Sequence, residues 1–87
     1  MKIAVDSTVM RNSADKFEAI SASIQDIAKK IEAEASELPN GWQGEKTQEF
    51  CEQLNALAKN FTTHAQAVST YAIALREAAR LFDEAKA

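Results

Sequence analysis

Large apolar residues recur every seven positions along the first part of the chain. Their row consists of Met10, Phe17, Ile24, Ile31 and Leu38, with Ile20 and Ile27 beside it. A seven-residue repeat places side chains along one stripe of an α-helix, because seven residues make close to two turns. Asp6 or Ser7 can cap the start of such a helix with a side-chain oxygen. The pattern predicts a first helix over about residues 7–38.

A second apolar stripe follows with steps of three and four residues. It consists of Phe50, Leu54, Leu57, Phe61, His64, Val68, Tyr71, Leu75, Ala78 and Phe82. This spacing predicts a second helix over about residues 45–84. His64 is the one member with a strongly polar ring.

The residues that break helices gather between the two stripes, in the stretch PNGWQG. Pro39 has no N–H and disfavours helical geometry at Leu38, so we expect it to end the first helix. Gly41 can adopt the left-handed conformation of a tight reversal. A turn over residues 39–44 forces the helices to lie antiparallel. The prediction is one all-α domain over residues 1–87, an antiparallel helical hairpin about 45 to 60 Å long.

Small residues form a further row beside each stripe. These rows are Ala14, Ser21, Ala28 and Ala35, and Cys51, Ala58, Ala65, Ala72 and Ala79. A stripe and a row together cover about three of every seven positions, which is more than one partner helix can bury. We therefore predict a dimer that forms a four-helix bundle. Its core and dimer seam are predicted to contain Phe17, Ile20, Ile24, Ile27, Ile31, Leu54, Leu57, Phe61, Val68, Leu75 and Phe82.

Composition and charge narrow the function classes. The chain has 46% hydrophobic residues, two glycines and one proline, which is typical of a helical protein. A net charge of −3 argues against a nucleic-acid partner. No apolar run has the length of a signal peptide or of a membrane-spanning helix. We expect synthesis in the cytoplasm, no cleaved signal peptide and no stable membrane anchor.

The residues that carry catalysis or bind metals are sparse. The chain has one histidine and one cysteine, with no H-E-x-x-H, no C-x-x-C and no glycine-rich phosphate loop. Cys51 and His64 are thirteen residues apart, about 20 Å along a helix. The sequence predicts no enzyme, no catalytic residue, no metal and no cofactor. Cys51 is interpreted as a small apolar residue, and His64 either as an imidazole at the edge of the core or as a pH switch.

Trp42, the single tryptophan, lies in the predicted turn. One interpretation is an aromatic plug at the end of the bundle, with Gly44 leaving room for the ring. In addition, Trp42–Gln43–Gly44 between two long amphipathic helices, in a chain of about a hundred residues or fewer, resembles the WXG family of small type VII secretion proteins, the early secreted antigen type. The resemblance covers essentially the whole chain.

The resemblance implies a secreted, virulence-associated protein that leaves the cell without a cleaved signal peptide, through a membrane ATPase system. It implies folded homodimers or heterodimers with another WXG-type hairpin, built as four-helix bundles. It also implies that Trp42 and Gly44 form part of the export signal.

One element of the family pattern is missing from this sequence. In the family, a tyrosine followed four residues later by Asp or Glu completes the export signal. Tyr71 is the only tyrosine, and Leu75 occupies the matching position. Three explanations stay open: a partner carries this signal, the chain is truncated, or this member is recognised differently.

The function predicted from the sequence is a non-enzymatic, dimeric adaptor or effector of a type VII secretion system. The alternative is an intracellular helical adaptor or chaperone that holds a client helix. A helper for the helical N-terminal domain of a larger secreted toxin is included in that alternative.

Overall fold

The fold is an all-α helical hairpin, as predicted. A computed structural model describes residues 6–41 and 44–86. Helix α1 spans Ser7–Gly41 and helix α2 spans Glu45–Lys86. The two helices lie antiparallel in a rod of 65 × 23 × 14 Å. Its length slightly exceeds the predicted range, because both helices extend beyond their predicted ends.

Asp6 caps the start of α1. Its Oδ1 accepts a hydrogen bond of 2.8 Å from the Thr8 N–H. Its carbonyl accepts bonds of 3.1 Å from the Val9 N–H and 3.3 Å from the Met10 N–H. These bonds satisfy N–H groups that the first turn of a helix leaves without partners. Ser7, the other candidate cap, is instead buried against α2.

The expectation that Pro39 ends the first helix is wrong. Helix α1 continues through Pro39 to Gly41. A proline inside a helix leaves the carbonyl four residues earlier without its usual N–H donor. That carbonyl belongs to Ala35, and it accepts a hydrogen bond of 3.3 Å from the Cys51 thiol of α2. The carbonyl that lacks its helical donor is thus contacted by a side chain of the second helix.

Gly44 directly precedes α2. Among the described residues, Gly44 has a positive φ, of +148°. Gly41 is the last residue of α1. Helix α1 continues past Pro39, and the positive φ expected at Gly41 occurs at Gly44 instead.

Small residues form the contact between the helices. The described residues buried there include Ala14, Ala28, Ala35, Ala58, Ala65, Ala72 and Ala79. The Ser21 hydroxyl donates a hydrogen bond of 2.7 Å to the Ala65 carbonyl. This bond and the bond from Cys51 to Ala35 fit a single antiparallel register. Methyl groups along this line allow the two backbones to approach closely, so the interior of the hairpin is thin.

Candidate functional site

One broad surface of the rod is apolar. It is built by large residues that flank the small-residue contact on one side, and several of them are well exposed: Phe17 by 38%, Ile20 by 48%, Ile27 by 45% and Leu57 by 44%. Others are half-buried, namely Ile24, Ile31, Leu54, Phe61, Val68, Leu75 and Phe82. We call these eleven residues the apolar face.

The apolar face contains every residue that the sequence assigned to the core and dimer seam. None of the eleven is buried in the hairpin. The interior they were expected to share is occupied by the small-residue rows instead, and no large side chain of the described residues is fully buried. The part of the prediction that places these residues between two subunits stays a prediction.

The antiparallel register explains why the large residues share one side. Ile24 comes three residues after the buried Ser21, and Phe61 comes three residues after the buried Ala58. In two antiparallel helices that meet along such buried positions, side chains three residues later lean to the same side of the pair. Side chains four residues later lean to the opposite side, which we call the polar face.

The polar face carries ion pairs between the helices. Arg11 donates to Asp83 at 2.7 Å. Arg76 donates to Asp15 at 2.8 Å and also to Glu18. All of these groups are substantially exposed to solvent, so each pair is worth little to stability by itself. Together they join the start of α1 to the last third of α2, at the end of the rod opposite the bend.

These contacts shift the titration of two carboxyl groups. A hydrogen bond from Arg76 lowers the pKa of Glu18. Hydrogen bonds from Ser7 and then Arg11 lower the pKa of Asp83. In both cases the contact favours the ionised carboxylate.

Two shallow grooves cross the apolar face. One is lined by Ile27, Lys30, Ile31, Glu34 and Leu54. The other is lined by Leu57, Asn60, Phe61 and His64. His64 is exposed beside this second groove, so within the hairpin it does not lie at the edge of a buried core. Tyr71 is also exposed, by 66%.

The bend is described from Gly44 onward, and Trp42 lies outside the described residues together with Gln43. Apart from the adjacent residues, no heavy atom of the described part of the chain lies within 4 Å of a Cβ built on Gly44. The constraint on Gly44 is therefore its backbone conformation. Its carbonyl accepts a hydrogen bond of 3.2 Å from the Thr47 N–H at the start of α2.

Residues 6–41 and 44–86 contain no group of three or more His, Cys, Asp and Glu side chains placed to hold a metal ion. Within the same residues, neither helix combines the length and apolarity that a membrane crossing requires.

An apolar face on a helical hairpin whose bend contains W-x-G agrees with the family comparison. The family model WXG100, described as proteins of 100 residues with WXG, matches residues 2–86. The chain belongs to the WXG100 family. Proteins of this family are small secreted helical proteins associated with type VII secretion, and they typically pair with other WXG-type proteins. Neither the curated proteins nor the solved structures compared with the chain gave a match.

Three features of this WXG100 hairpin were not predicted from the sequence. The small-residue rows are its interior, Arg76 connects α2 to two carboxylates of α1, and the Cys51 thiol reaches the Ala35 carbonyl. The repeat of small residues was visible in the sequence and could have indicated the first. The other two depend on the register between the helices, which the sequence did not supply.

Proposed function

We propose that this WXG100 protein is a secreted, non-enzymatic protein of a type VII secretion system that pairs with a second WXG-type helical hairpin through its apolar face. The observation that carries this proposal is the exposure of that face. A four-helix bundle of two hairpins buries such a surface on both sides.

The energy of burial supports pairing. Complete burial of a large apolar side chain contributes about 1.5 to 3 kcal/mol relative to exposure. Ile20, Ile27 and Leu57 each expose more than two fifths of their surface, so a substantial part of this contribution is still available to a partner. Contiguous apolar patches on soluble proteins mark interaction sites.

The shape of the face favours a helical partner. It follows both helices of a rod that is 65 Å long and 14 Å thick, and its grooves are shallow. An elongated apolar surface on two helices is covered best by another pair of amphipathic helices, whose large residues fit between those of the first.

Charge placed on the apolar face tests this proposal. Ile27→Asp should weaken the pairing affinity by about tenfold or more, because a carboxylate would be buried in the contact. Size-exclusion chromatography with light scattering, on the chain alone and mixed with a candidate partner, measures the mass. Ile73→Asp is the matched control: Ile73 is 63% exposed but follows the buried Ala72 directly, away from the apolar face.

A wild-type chain that stays a stable monomer at high concentration, alone and with every WXG-type partner encoded nearby, would contradict the proposal. Equal loss of pairing in Ile27→Asp and Ile73→Asp would place the contact elsewhere on the rod.

The bend is proposed as part of the export signal. Support comes from the W-x-G motif at residues 42–44 and from membership of a family associated with type VII secretion. Trp42→Ala should leave helix content and pairing unchanged while the intact chain disappears from the culture medium. Unchanged export would contradict a signalling role, and loss of folding together with export would favour the aromatic plug.

Pairing also accounts for the absent acidic residue after Tyr71. A partner that carries the tyrosine and acidic residue would complete the signal and engage the secretion ATPase. The helical N-terminal domain of a secreted toxin is one such partner. Efficient export of the chain expressed without any family partner would rule this out, and retention of the chain in the cells under every condition would favour an intracellular adaptor.

A further inference from the structure

The last turns of α1 contain a proline whose missing hydrogen bond is replaced from the other helix. Pro39 lies inside α1, so its ring nitrogen cannot donate to the Ala35 carbonyl four residues earlier. A carbonyl without its donor in a packed region is unfavourable. The Cys51 thiol donates to this carbonyl across the helix contact, at an S···O distance of 3.3 Å.

The thiol lies in α2 opposite the turn of α1 that contains the carbonyl affected by Pro39. The small-residue row of α2 contains alanine at residues 58, 65, 72 and 79, and its first member is Cys51. That member faces the one carbonyl of α1 that the proline deprives of a donor. Cys51 is half-buried, and an alanine in its place would continue the row but could not donate a hydrogen bond.

We propose that Cys51 is a positioning residue for the bend. Its thiol substitutes for the hydrogen bond that Pro39 cannot make, and it fixes the last turns of α1 against the first two turns of α2. This contact holds together the end of α1 and the start of α2, which flank the W-x-G motif in the sequence. The consequence for export rests on the function proposed above, whereas the contact itself can be tested without it.

A double-mutant cycle tests the substitution. Cys51→Ala should lower the melting temperature by about 4 °C, the order expected for one lost hydrogen bond in a domain of this size. Pro39→Ala restores an N–H to the Ala35 carbonyl. In the Pro39→Ala background, Cys51→Ala should therefore lower the melting temperature by less than half as much. Cys51→Ser, which keeps a donor, should recover most of the loss.

Ser21 provides the matched control. Its hydroxyl also donates across the helix contact, to the Ala65 carbonyl at 2.7 Å, but the residue four positions later is Ser69, which has an N–H. Ser21→Ala should consequently lower the melting temperature by the same amount with and without Pro39→Ala. A difference confined to Cys51 identifies the proline as the cause.

A local measurement separates positioning from general stability. Cys51→Ala should increase amide hydrogen exchange over residues 35–41 and 45–51, while exchange near Arg11 and Asp83 stays unchanged. The proposal is overturned if Cys51→Ala lowers the melting temperature equally in both backgrounds. It is also overturned if amide hydrogen exchange near the bend does not change. Cys51 does not belong to the apolar face, so that result would leave pairing of the hairpins intact.

Discussion

Gly44 shows how a single residue is constrained by the backbone. Its φ of +148° lies in a region that residues with a Cβ rarely adopt. The surrounding space is open among the described residues, so steric crowding does not explain the glycine. The third position of the W-x-G motif therefore has a conformational reason in this protein.

Gly44→Ala should destabilise the hairpin by about 1 to 3 kcal/mol, the cost of a residue held in a disfavoured backbone conformation. Thermal or urea unfolding followed by circular dichroism measures this change. Gly41→Ala is the control, because Gly41 ends α1 and also has open space around it. It should be neutral or slightly stabilising, since alanine favours helices. Equal effects of the two substitutions would contradict this account.

The two helices meet through small side chains. Ala58, Ala65 and Ala72 are fully buried at 0% exposure, although each contributes only a methyl group to the contact. A row of methyl groups lets long helices lie close to each other along their whole length. Close approach also means that little room exists for a larger side chain.

Ala65→Leu should destabilise the hairpin by about 1 to 3 kcal/mol, because added methylene groups must force the helices apart. The unfolding midpoint in urea reports this loss. Ala56→Leu makes the same chemical change at an exposed position of α2 and should have almost no effect. If Ala65→Leu were tolerated as well as Ala56→Leu, the close contact would be wrong.

The whole rod has two different faces. The apolar face offers large side chains for a partner, whereas the polar face holds the ion pairs between α1 and α2. A partner on the apolar face, as proposed above, would leave the ion pairs of the polar face uncovered. Since small residues fill the interior, the large apolar side chains of the apolar face stay exposed or half-buried in the single hairpin.

The ion pairs between the helices should make the stability of the fold depend on pH. Glu18 has a lowered pKa in the folded chain, so its contribution is present above the ordinary carboxyl pKa and is lost as pH falls through the lowered value. The melting temperature should fall between about pH 5 and pH 3. Arg76→Gln should reduce this fall, because Gln cannot form the ion pairs with Glu18 and Asp15.

Arg80→Gln is the control for Arg76→Gln. Arg80 pairs with Glu77 and Glu84 on its own helix, so its loss should not loosen the end of the hairpin. Amide exchange near Arg11 should rise in Arg76→Gln and stay unchanged in Arg80→Gln. Identical exchange in the two variants would show that the pairs between the helices do not hold this end together.

The sequence by itself determined the elements of this protein. The seven-residue repeat of apolar positions predicted both helices, and the helix-breaking residues near Gly41 predicted the hairpin. Both signals are local properties of the chain. The residues of the apolar face could also be identified, since they recur on one side of each helix. The W-x-G motif indicated the family without any structure.

The tertiary structure decided which rows meet. On each helix, the row of large apolar residues and the row of small residues lie side by side. The sequence pattern is therefore compatible with either row in the interior of the hairpin. The close approach of the backbones selected the small rows and left residues such as Phe17 and Leu57 outside. The bond from the Cys51 thiol to the Ala35 carbonyl likewise joins residues of different helices, sixteen positions apart in the chain. Contacts of this kind arise only when the two helices are placed side by side, and local periodicity contains no information about them.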